Sequence, residues 1–254
     1  MTGRGLPILL LAVLVAGPPA GAGSPTTPEV VDAVGDAHGV NGQGQAAGEP
    51  LANGPDARPA SIDSADLRAV WFETTFKAEK LRRSDGSVTA VQHVPNGLRV
   101  HVRTTAPPRP SFGPTLVYRV PMSISGCDFN ITYWIRGSSS LPSDALERAE
   151  LQLLRDVCPG GGRTLQGLSY SAAGNVVTVT IPHATLPPDV AGMFARGATL
   201  APFGSRVHVR TQIVLPTAPA IDEAPLGRSF VYGSDLPPDI DCDAEPAHAA
   251  CASP

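Results

Sequence analysis

Aromatic side chains and charged side chains are both scarce in this sequence. Aromatic residues make up 5% of the 254 positions, charged residues make up 17%, and the formal net charge is −4. The 19 basic residues are scattered along the chain, whereas a nucleic-acid-binding protein concentrates its positive charge on one surface. The composition therefore argues against a nucleic acid as partner.

Signatures of the common catalytic sites are also missing. The chain has no His-Glu-x-x-His zinc motif, no phosphate-binding glycine loop and no dinucleotide fingerprint. The segment closest to a nucleophile elbow, residues 167–171, lacks the closing glycine and lies in a strand pattern. The sequence thus assigns no catalytic residue and favours a protein without enzymatic activity.

Long apolar runs are absent except at the N-terminus. Arg4 precedes an apolar run over residues 6–15, and residues 20–22 have the small side chains of a cleavage site. The run is shorter than the roughly 20 residues of a membrane-spanning helix. Residues 1–22 are therefore predicted to be a signal peptide, and we expect a secreted, extracellular chain with no transmembrane segment after its removal.

Composition divides the remaining chain into three parts. Residues 23–60 are rich in Gly, Ala and Pro, residues 61–233 have the length of one domain, and residues 234–254 form an acidic tail. The middle part is long enough for a single hydrophobic core. We expect it to be monomeric.

The four cysteines fit an exported chain, in which an even number is typical of disulfides. No two of them are closer than nine residues, so they lack the ligand spacing of a zinc site. Four cysteines allow three pairings. Cys127 with Cys158 and Cys242 with Cys251 is the most economical, because each pair then closes one region of the chain.

Alternation of apolar and polar residues dominates the middle of the chain and predicts strands. The predicted strands cover residues 66–76, 88–94, 98–104, 115–120, 129–136, 165–171, 176–181, 207–215 and 229–232. Turn signals at Asp85-Gly86, Asn96-Gly97 and Gly174-Asn175 separate several of them as hairpins. Short strands at close spacing predict an all-β fold, an antiparallel β-sandwich of the jelly-roll or immunoglobulin-like type.

Helix signals are few, and we expect one or two short helices in connections. Asp144 and Glu147 have the spacing of a capping box, and apolar residues recur at helical intervals over residues 146–157. Residues 187–196 predict a further turn or two. Each helix is expected to cross one end of the sandwich.

The hexapeptide Arg-Val-His-Val-Arg-Thr occurs twice, at residues 99–104 and 206–211. In each copy the valines are expected to point inward and the Arg and His side chains outward. The outward residues are Arg99, His101, Arg103, Arg206, His208 and Arg210. If both strands lie in one sheet, these side chains form a surface that would attract an anionic wall polymer. The alternative is that the arginine stems cover the sheet while their charged ends meet nearby carboxylates.

Trp134 is a candidate for a ligand contact. In the predicted strand 129–136 it shares a polar face with Asn130, Thr132 and Arg136. An indole ring beside hydrogen-bonding groups suits sugar stacking or a protein interface. The alternative is that a loop covers the ring.

One acidic set predicts a calcium site, and the sequence suggests no other cofactor. Asp32, Asp36 and Asn41 supply oxygen ligands around a glycine turn, and Asp63 or Asp66 is expected to fold back and complete the set. The alternative is a polar turn that leads into the first strand. The acidic residues 239–245 lack the glycine and glutamate that would complete a calcium loop, so a solvated, disulfide-closed acidic tail is favoured there.

Several stretches of the chain resemble a group of secreted, uncharacterised actinobacterial proteins. These stretches are residues 32–37 followed by Asn41, 66–73, 112–120, 219–228 and 237–242. The resemblance covers nearly the whole mature chain and implies an exported β-sandwich, but it carries over no catalytic or binding residue. A looser likeness to carbohydrate-binding and DOMON-like sandwich modules rests on fold class, which does not determine function.

Together these features favour an exported, non-catalytic protein that binds a cell-wall polysaccharide or another extracellular protein. The alternative is an extracellular hydrolase with a site assembled through space, and the third reading is a purely structural or inhibitory secreted protein. The binding function predicts an exposed face carrying Trp134. The hydrolase predicts titratable groups within hydrogen-bond reach of one another.

Overall fold

The structure is a computed structural model of the chain. It describes residues 28–32, 38–40, 46–50, 66–107, 115–135, 148–154, 158, 161–202, 206–212, 220–225 and 227–252. The predicted signal peptide, residues 1–22, lies outside this part of the chain.

Strands make up most of the described chain. Their bounds are β1 Val30–Val31, β2 His38–Val40, β3 Ala46–Pro50, β4 Leu67–Arg82, β5 Val88–Thr104, β6 Thr115–Ile124, β7 Cys127–Ile135, β8 Arg148–Leu153, β9 Thr164–Ala173, β10 Val176–Pro182, β11 Thr199–Pro202, β12 Arg206–Gln212, β13 Ala220–Pro225, β14 Phe230–Val231 and β15 Ile240–Asp241. The helical segments are short: the 3-10 turn η1 His183–Thr185, the helix α1 Pro188–Ala191 and the 3-10 turn η2 Ala249–Cys251.

Thirteen strands form one curled antiparallel sheet in the order β1-β4-β5-β10-β9-β8-β7-β6-β11-β14. Off this path β12 pairs with β6 and β13, and β15 pairs with β5, while β2 and β3 form a separate pair. The curl brings β13 back to β4. At this contact the backbone N–H of Leu67, in β4, donates to Oδ2 of Asp222, in β13, at 2.5 Å. The prediction of an all-β antiparallel fold is confirmed. The finer prediction of a two-layer sandwich stays a prediction.

Strand β9 is the corner of this sheet. Its first half pairs with β8, from Thr164 to Leu168, and its second half pairs with β10, from Ser169 to Ala173. Gly167 at the change of partner has a φ of 76°, a conformation that glycine adopts without the steric cost that a side chain would impose. The strand bends there, and the sheet turns around the core.

The core lies on the inner side of the curl, where successive strands contribute every second residue. Its inward side chains include Val70 and Phe72 of β4, Leu98, Val100 and Val102 of β5, Val177, Val179 and Ile181 of β10, Leu151 and Leu153 of β8, and Phe129, Ile131 and Tyr133 of β7. All of these side chains are buried. This burial confirms the inward faces that the alternation predicts for the strands at 98–104, 129–136 and 176–181.

The predicted helix over residues 146–157 is wrong. Residues 148–153 form strand β8, in which Ala149, Leu151 and Leu153 are buried and Gln152 is exposed. Ala149 and Leu153 satisfy a period of two as well as a helical spacing, whereas Leu151 satisfies the period of two alone. Pairing with β7 and β9 on both sides supplies backbone hydrogen bonds and burial that favour the strand. The predicted cap, Asp144 and Glu147, lies outside the described residues.

The predicted hairpin at Asn96-Gly97 is also wrong, because β5 continues through both residues. A Cβ atom on Gly97 would lie 2.7 Å from the carbonyl oxygen of Ile181 and 2.7 Å from Oγ1 of Thr75. Glycine is therefore needed here for close approach between neighbouring strands rather than for a turn. The turns at Asp85-Gly86 and Gly174-Asn175 do join hairpins, β4 to β5 and β9 to β10. Both hairpin predictions are confirmed.

The acidic tail folds onto the far end of the β4–β5 hairpin. Ile240 and Asp241 form β15, which pairs with Val91 and Ala90 of β5. Cys242 is buried against Val88 and Val91 in a small second cluster. The predicted disulfide closes the tail, and residues 243–249 are exposed, as the sequence favoured; the attachment of the tail to this hairpin through β15 was not predicted.

Both predicted disulfides are confirmed. Cys127 at the start of β7 is bonded to Cys158, 31 residues further on, and Cys242 is bonded to Cys251, nine residues further on. The first bond lies in the main core, since Cys127 is fully buried and Cys158 packs against the same cluster. The second bond lies in the small cluster at the hairpin end.

Tyr232 ties the end of β14 to the middle of β5. Its hydroxyl donates to the carbonyl oxygen of Gly97 at 2.9 Å. The hydroxyl oxygen of Tyr232 also lies 2.7 Å from Nε2 of His183. Because a carbonyl can only accept, the Tyr232 proton goes to Gly97, and His183 must donate through Nε2. Burial lowers the pKa of His183 and raises that of Tyr232.

Removing the inner disulfide should destabilise the whole domain. In the chain-entropy description, a bond closing a loop of this length contributes roughly 3 to 4 kcal/mol. The variant Cys127→Ala/Cys158→Ala should therefore melt roughly 10 °C lower than the wild type. The matched variant Cys242→Ala/Cys251→Ala should mainly expose the tail to proteolysis, because its bond lies outside the main core. Equal melting temperatures for wild type and the inner-disulfide variant would contradict the assignment.

His183 should make the fold less stable in mild acid. Its lowered pKa means that its contribution is complete above the unfolded-state pKa of about 6.5 and is lost as the pH falls through the folded pKa. We expect the free energy of unfolding, measured by urea denaturation, to fall between about pH 7 and pH 5. His183→Gln keeps a donor near Tyr232 but cannot titrate, so its profile should be flatter. Parallel wild-type and variant profiles would show that His183 is not the group responsible.

Candidate functional site

The outer face of β4 and β5, opposite the core, carries a compact cluster of polar and aromatic side chains. Strand pairing places Trp71 opposite His101 and Glu73 opposite Arg99. Arg103 follows two residues along β5 on the same face, because side chains alternate between the faces of a strand. We call these five residues the outer cluster.

His101 is the centre of the outer cluster and uses both ring nitrogens. Its Nδ1 lies 2.9 Å from Oγ1 of Thr178 in β10, and its Nε2 lies 3.2 Å from Oε2 of Glu73. The side chain is only 1% exposed. A buried imidazole without partners would be costly, and here both nitrogens are satisfied.

The carboxylate of Glu73 determines where the imidazole proton lies. The hydrogen bond from His101 and the positive charge of Arg99, whose Nη1 is 2.9 Å from Oε1, hold the pKa of Glu73 below its usual value. Glu73 is therefore ionised and can only accept, so Nε2 of His101 carries the proton. The unprotonated Nδ1 then accepts the hydroxyl proton of Thr178.

Trp71 supports this arrangement from one side. Its ring is stacked on the His101 ring with centroids 4.8 Å apart and planes 8° from parallel. The guanidinium of Arg103 lies 5.1 Å from the centroid of the Trp71 ring. The indole is 4% exposed, so His101 and Arg103 are held against a rigid, buried surface.

Hydroxyl side chains extend the polar outer face toward β9. Thr178 and Thr180 of β10 lie opposite His101 and Arg99. On the next strand Ser171 and Ser169 lie opposite the same threonines. The outer face of β4, β5, β10 and β9 is therefore a continuous surface of hydrogen-bonding groups.

A second cluster surrounds Trp134 on the outer face of β7 and β8. The indole Nε1 donates to Oε1 of Glu150 at 3.0 Å, and the guanidinium of Arg148 lies 4.5 Å from the ring centroid. Trp134 is half-buried and Arg148 is exposed. The covering group is an arginine from the neighbouring strand rather than the loop considered from the sequence.

The structure separates the two copies of the hexapeptide. Both lie in the thirteen-stranded sheet, but β12 pairs with β6 and β13, while β5 pairs with β4, β10 and β15. Residues Arg206, His208 and Arg210 alternate along β12, and their side chains lie outside the described residues.

The expected exposure of the first copy of the hexapeptide is wrong at His101. That side chain is buried, whereas Arg99 and Arg103 are half-buried. The cause is that Trp71 stacks on the imidazole while Glu73 and Thr178, on the strands to either side, hydrogen-bond to its two nitrogens. A polar residue on the outer side of a strand is exposed only where its neighbours leave it uncovered.

The predicted calcium ligands fall partly within the structure. Asp32 follows β1 and its N–H donates to the carbonyl oxygen of Arg68, while Asp66 is buried two residues before Arg68 and accepts from Thr105 Oγ1 at 2.5 Å. The predicted ligands Asp36, Asn41 and Asp63 lie outside the described residues, as does Arg136 beside Trp134. Among the described residues, no group of three acidic, His or Cys side chains has the geometry of a metal site.

Sequence reasoning missed the partners that give these clusters their geometry. Trp71, Glu73 and Thr178 surround His101 from two other strands, and Arg148 and Glu150 lie on a strand that the sequence predicted as helix. Alternation alone places Trp71 and Glu73 on one face of β4, just as it places Arg99, His101 and Arg103 on one face of β5. The sequence did not show which strands are neighbours in the sheet.

Comparison of the chain with protein-family models, with curated proteins and with solved structures finds no match. No helix within the described ranges is long and apolar enough to cross a membrane.

The proton position on His101 can be measured directly. Nitrogen-15 NMR of the imidazole should show a protonated Nε2 and an unprotonated Nδ1 at neutral pH. Glu73→Gln removes the acceptor charge and should shift the ring toward a mixture of tautomers, whereas Glu79→Gln, on the outer part of β4, should leave it unchanged. A protonated Nδ1 in the wild type would contradict the assignment.

Proposed function

We propose that the protein is an exported β-sandwich protein that binds an anionic cell-surface polymer, such as a teichoic or uronic acid chain, through the outer face of its sheet. The proposal rests on a feature that both tryptophans of the chain have in common. Each lies on the outer face with an arginine guanidinium over its ring, Arg103 at 5.1 Å from Trp71 and Arg148 at 4.5 Å from Trp134.

An arginine stacked on an indole is well prepared to bind an anion. The ring contacts the flat side of the guanidinium, so its N–H groups point sideways in a fixed fork. Carboxylates and phosphates accept hydrogen bonds from such a fork in a bidentate manner. Stacking also reduces the side-chain freedom that would otherwise be lost when the polymer binds.

The geometry around Trp134 favours an anion over a neutral sugar. Sugar stacking requires an open ring face, and Arg148 covers one face of this indole. The indole N–H is bonded to Glu150 and is therefore engaged. The group that Trp134 presents to a ligand is the Arg148 guanidinium, whose side chain is 43% exposed.

The two arginines are separated as a chain-like ligand requires. Arg103 lies on β5 and Arg148 on β8, with β10 and β9 between them on the same sheet. Three strand steps correspond to roughly 14 Å across the sheet, and the ladders also offset the two residues by about four positions along the strands, so their separation is larger than this. A polymer with a negative charge on each repeat could contact both arginines and pass over the hydroxyl groups of β9 and β10.

Export is supported by two features. The N-terminal segment has the pattern of a signal peptide, and both disulfides belong to an oxidising compartment.

Binding to polygalacturonate, a soluble uronic acid polymer, tests the proposal. We expect retention that weakens steeply as salt rises from about 0.05 M to about 0.5 M, because screening shortens the range of surface charges. Arg103→Gln and Arg148→Gln should each raise Kd roughly tenfold, the effect of losing one charged hydrogen-bonding group. Affinity is measured by titration with circular dichroism as the folding check.

The matched control is Arg82→Gln/Arg83→Gln, which removes two positive charges at the tip of the β4–β5 hairpin. This variant should bind as the wild type does. Retention that is insensitive to salt, or an equal loss in the control, would argue against the outer face as the binding site. Absence of retention on both uronic acid and teichoic acid polymers would leave a structural or inhibitory secreted protein as the better explanation.

A further inference from the structure

We propose that Thr178 is a nucleophile that reacts with carboxylic esters, with His101 as its general base and Glu73 as the residue that orients His101. This activity goes beyond polymer binding and does not depend on it. It rests on a chain of hydrogen bonds that runs from the hydroxyl of Thr178, in β10, through the imidazole of His101 to the carboxylate of Glu73.

The geometry is that of a nucleophile and base in direct contact. Oγ1 of Thr178 lies 2.9 Å from Nδ1 of His101, which is within the distance over which a proton is transferred. Glu73 holds the opposite nitrogen at 3.2 Å. A base oriented by a third group is the arrangement that activates serine and threonine hydroxyls.

The protonation states favour proton transfer from Thr178. Glu73 is ionised, so it keeps the imidazole proton on Nε2 and leaves the lone pair of Nδ1 facing the hydroxyl. When His101 gains the Thr178 proton, the imidazolium lies between Glu73 and the Trp71 ring. Both the carboxylate and the ring face stabilise that positive charge.

The proposed base and the proposed nucleophile differ in their exposure to solvent. His101 and Trp71 are almost fully buried, at 1% and 4% exposed, whereas Thr178 is half-buried. Thr178 is therefore the member of this hydrogen-bonded chain with more surface open to an ester than His101, and the base is shielded from water. A low local dielectric strengthens the interaction between His101 and Glu73.

Arg99, whose Nη1 is held by Glu73 at 2.9 Å, brings a positive charge to the same face as Thr178. It lies opposite Thr180, two residues along β10 from Thr178, and diagonal neighbours on adjacent strands are within reach of long side chains. Its side chain is 38% exposed. The guanidinium can accordingly stabilise the negative charge that develops on the carbonyl oxygen of the ester.

The proposed reaction proceeds in two balanced steps. In the first, Oγ1 of Thr178 forms a bond to the acyl carbon, the bond to the alcohol oxygen breaks, and the Thr178 proton passes through Nδ1 of His101 to the leaving alcohol. In the second, water attacks the acyl-threonine, its proton passes to His101 and then to Oγ1 of Thr178, and the carboxylic acid is released.

Labelling with an alkyl fluorophosphonate tests the nucleophile directly. Oγ1 of Thr178 would form a bond to phosphorus, the P–F bond would break, and the proton would leave with fluoride. After incubation of the full-length chain, peptide mass spectrometry should locate the phosphonyl group on Thr178. An unlabelled wild-type protein, or a label found only on other residues, would overturn the proposal.

Variants of His101 and Thr178 show whether His101 activates the Thr178 hydroxyl or only packs against it. His101→Gln should slow labelling at least ~100-fold, the usual contribution of a general base, whereas Thr178→Ser should keep the label on position 178. Thr89→Val is the matched control, because Thr89 is a half-buried strand threonine whose hydroxyl donates to the Leu81 carbonyl. That variant should be labelled at the wild-type rate.

Folding defects do not obscure the outcome. If His101→Gln fails to fold by circular dichroism, the wild-type labelling position and the retention of label in Thr178→Ser decide the question. Undiminished labelling in a folded His101→Gln protein would also overturn the proposal. Because labelling uses no polymer, its failure would leave the polygalacturonate result unaffected.

Discussion

The pairing of β4 with β5 is the constraint on which the rest of the structure depends. One long ladder joins residues 67–82 to residues 88–104. Because side chains alternate between the two faces, the register that places Phe72 beside Val100 in the core also places Trp71 beside His101 on the outer face. A slip of one residue would exchange the two faces. Core packing and the outer cluster are therefore specified together, and neither can change its register alone.

The two hydrogen bonds of the buried His101 have both a structural and a chemical role. His101 is removed from water on the outer side of the sheet, so each of its ring nitrogens needs a partner. Thr178 and Glu73 are these partners. Their unlike chemistry, a hydroxyl on one side and an ionised carboxylate on the other, determines where the imidazole proton lies. The bonds that make burial tolerable thereby prepare His101 to accept a proton from Thr178.

Alternation predicted most strands of the sheet, and it failed where one pattern supports two structures. Ala149 and Leu153, four residues apart, fit both a strand and a helix, and pairing with β7 and β9 decided between them. Asn96-Gly97 has the composition of a hairpin turn, yet Gly97 is needed for contact with Ile181. Local preference was outweighed in both cases by neighbours that are distant in the sequence. The disulfides were predictable because only three pairings exist and each chosen pair is close in the chain.

The sequence by itself determined the alternating pattern of most strands and the pairing of the cysteines, because these depend on composition and on residues near one another in the chain. It also indicated that Arg99, His101 and Arg103 share the outer side of one strand. Only the tertiary structure decided that His101 is buried and that Glu73 and Thr178 are its partners. Those contacts join residues 28 and 77 positions apart, and they exist because the curled sheet places β4 and β10 on either side of β5.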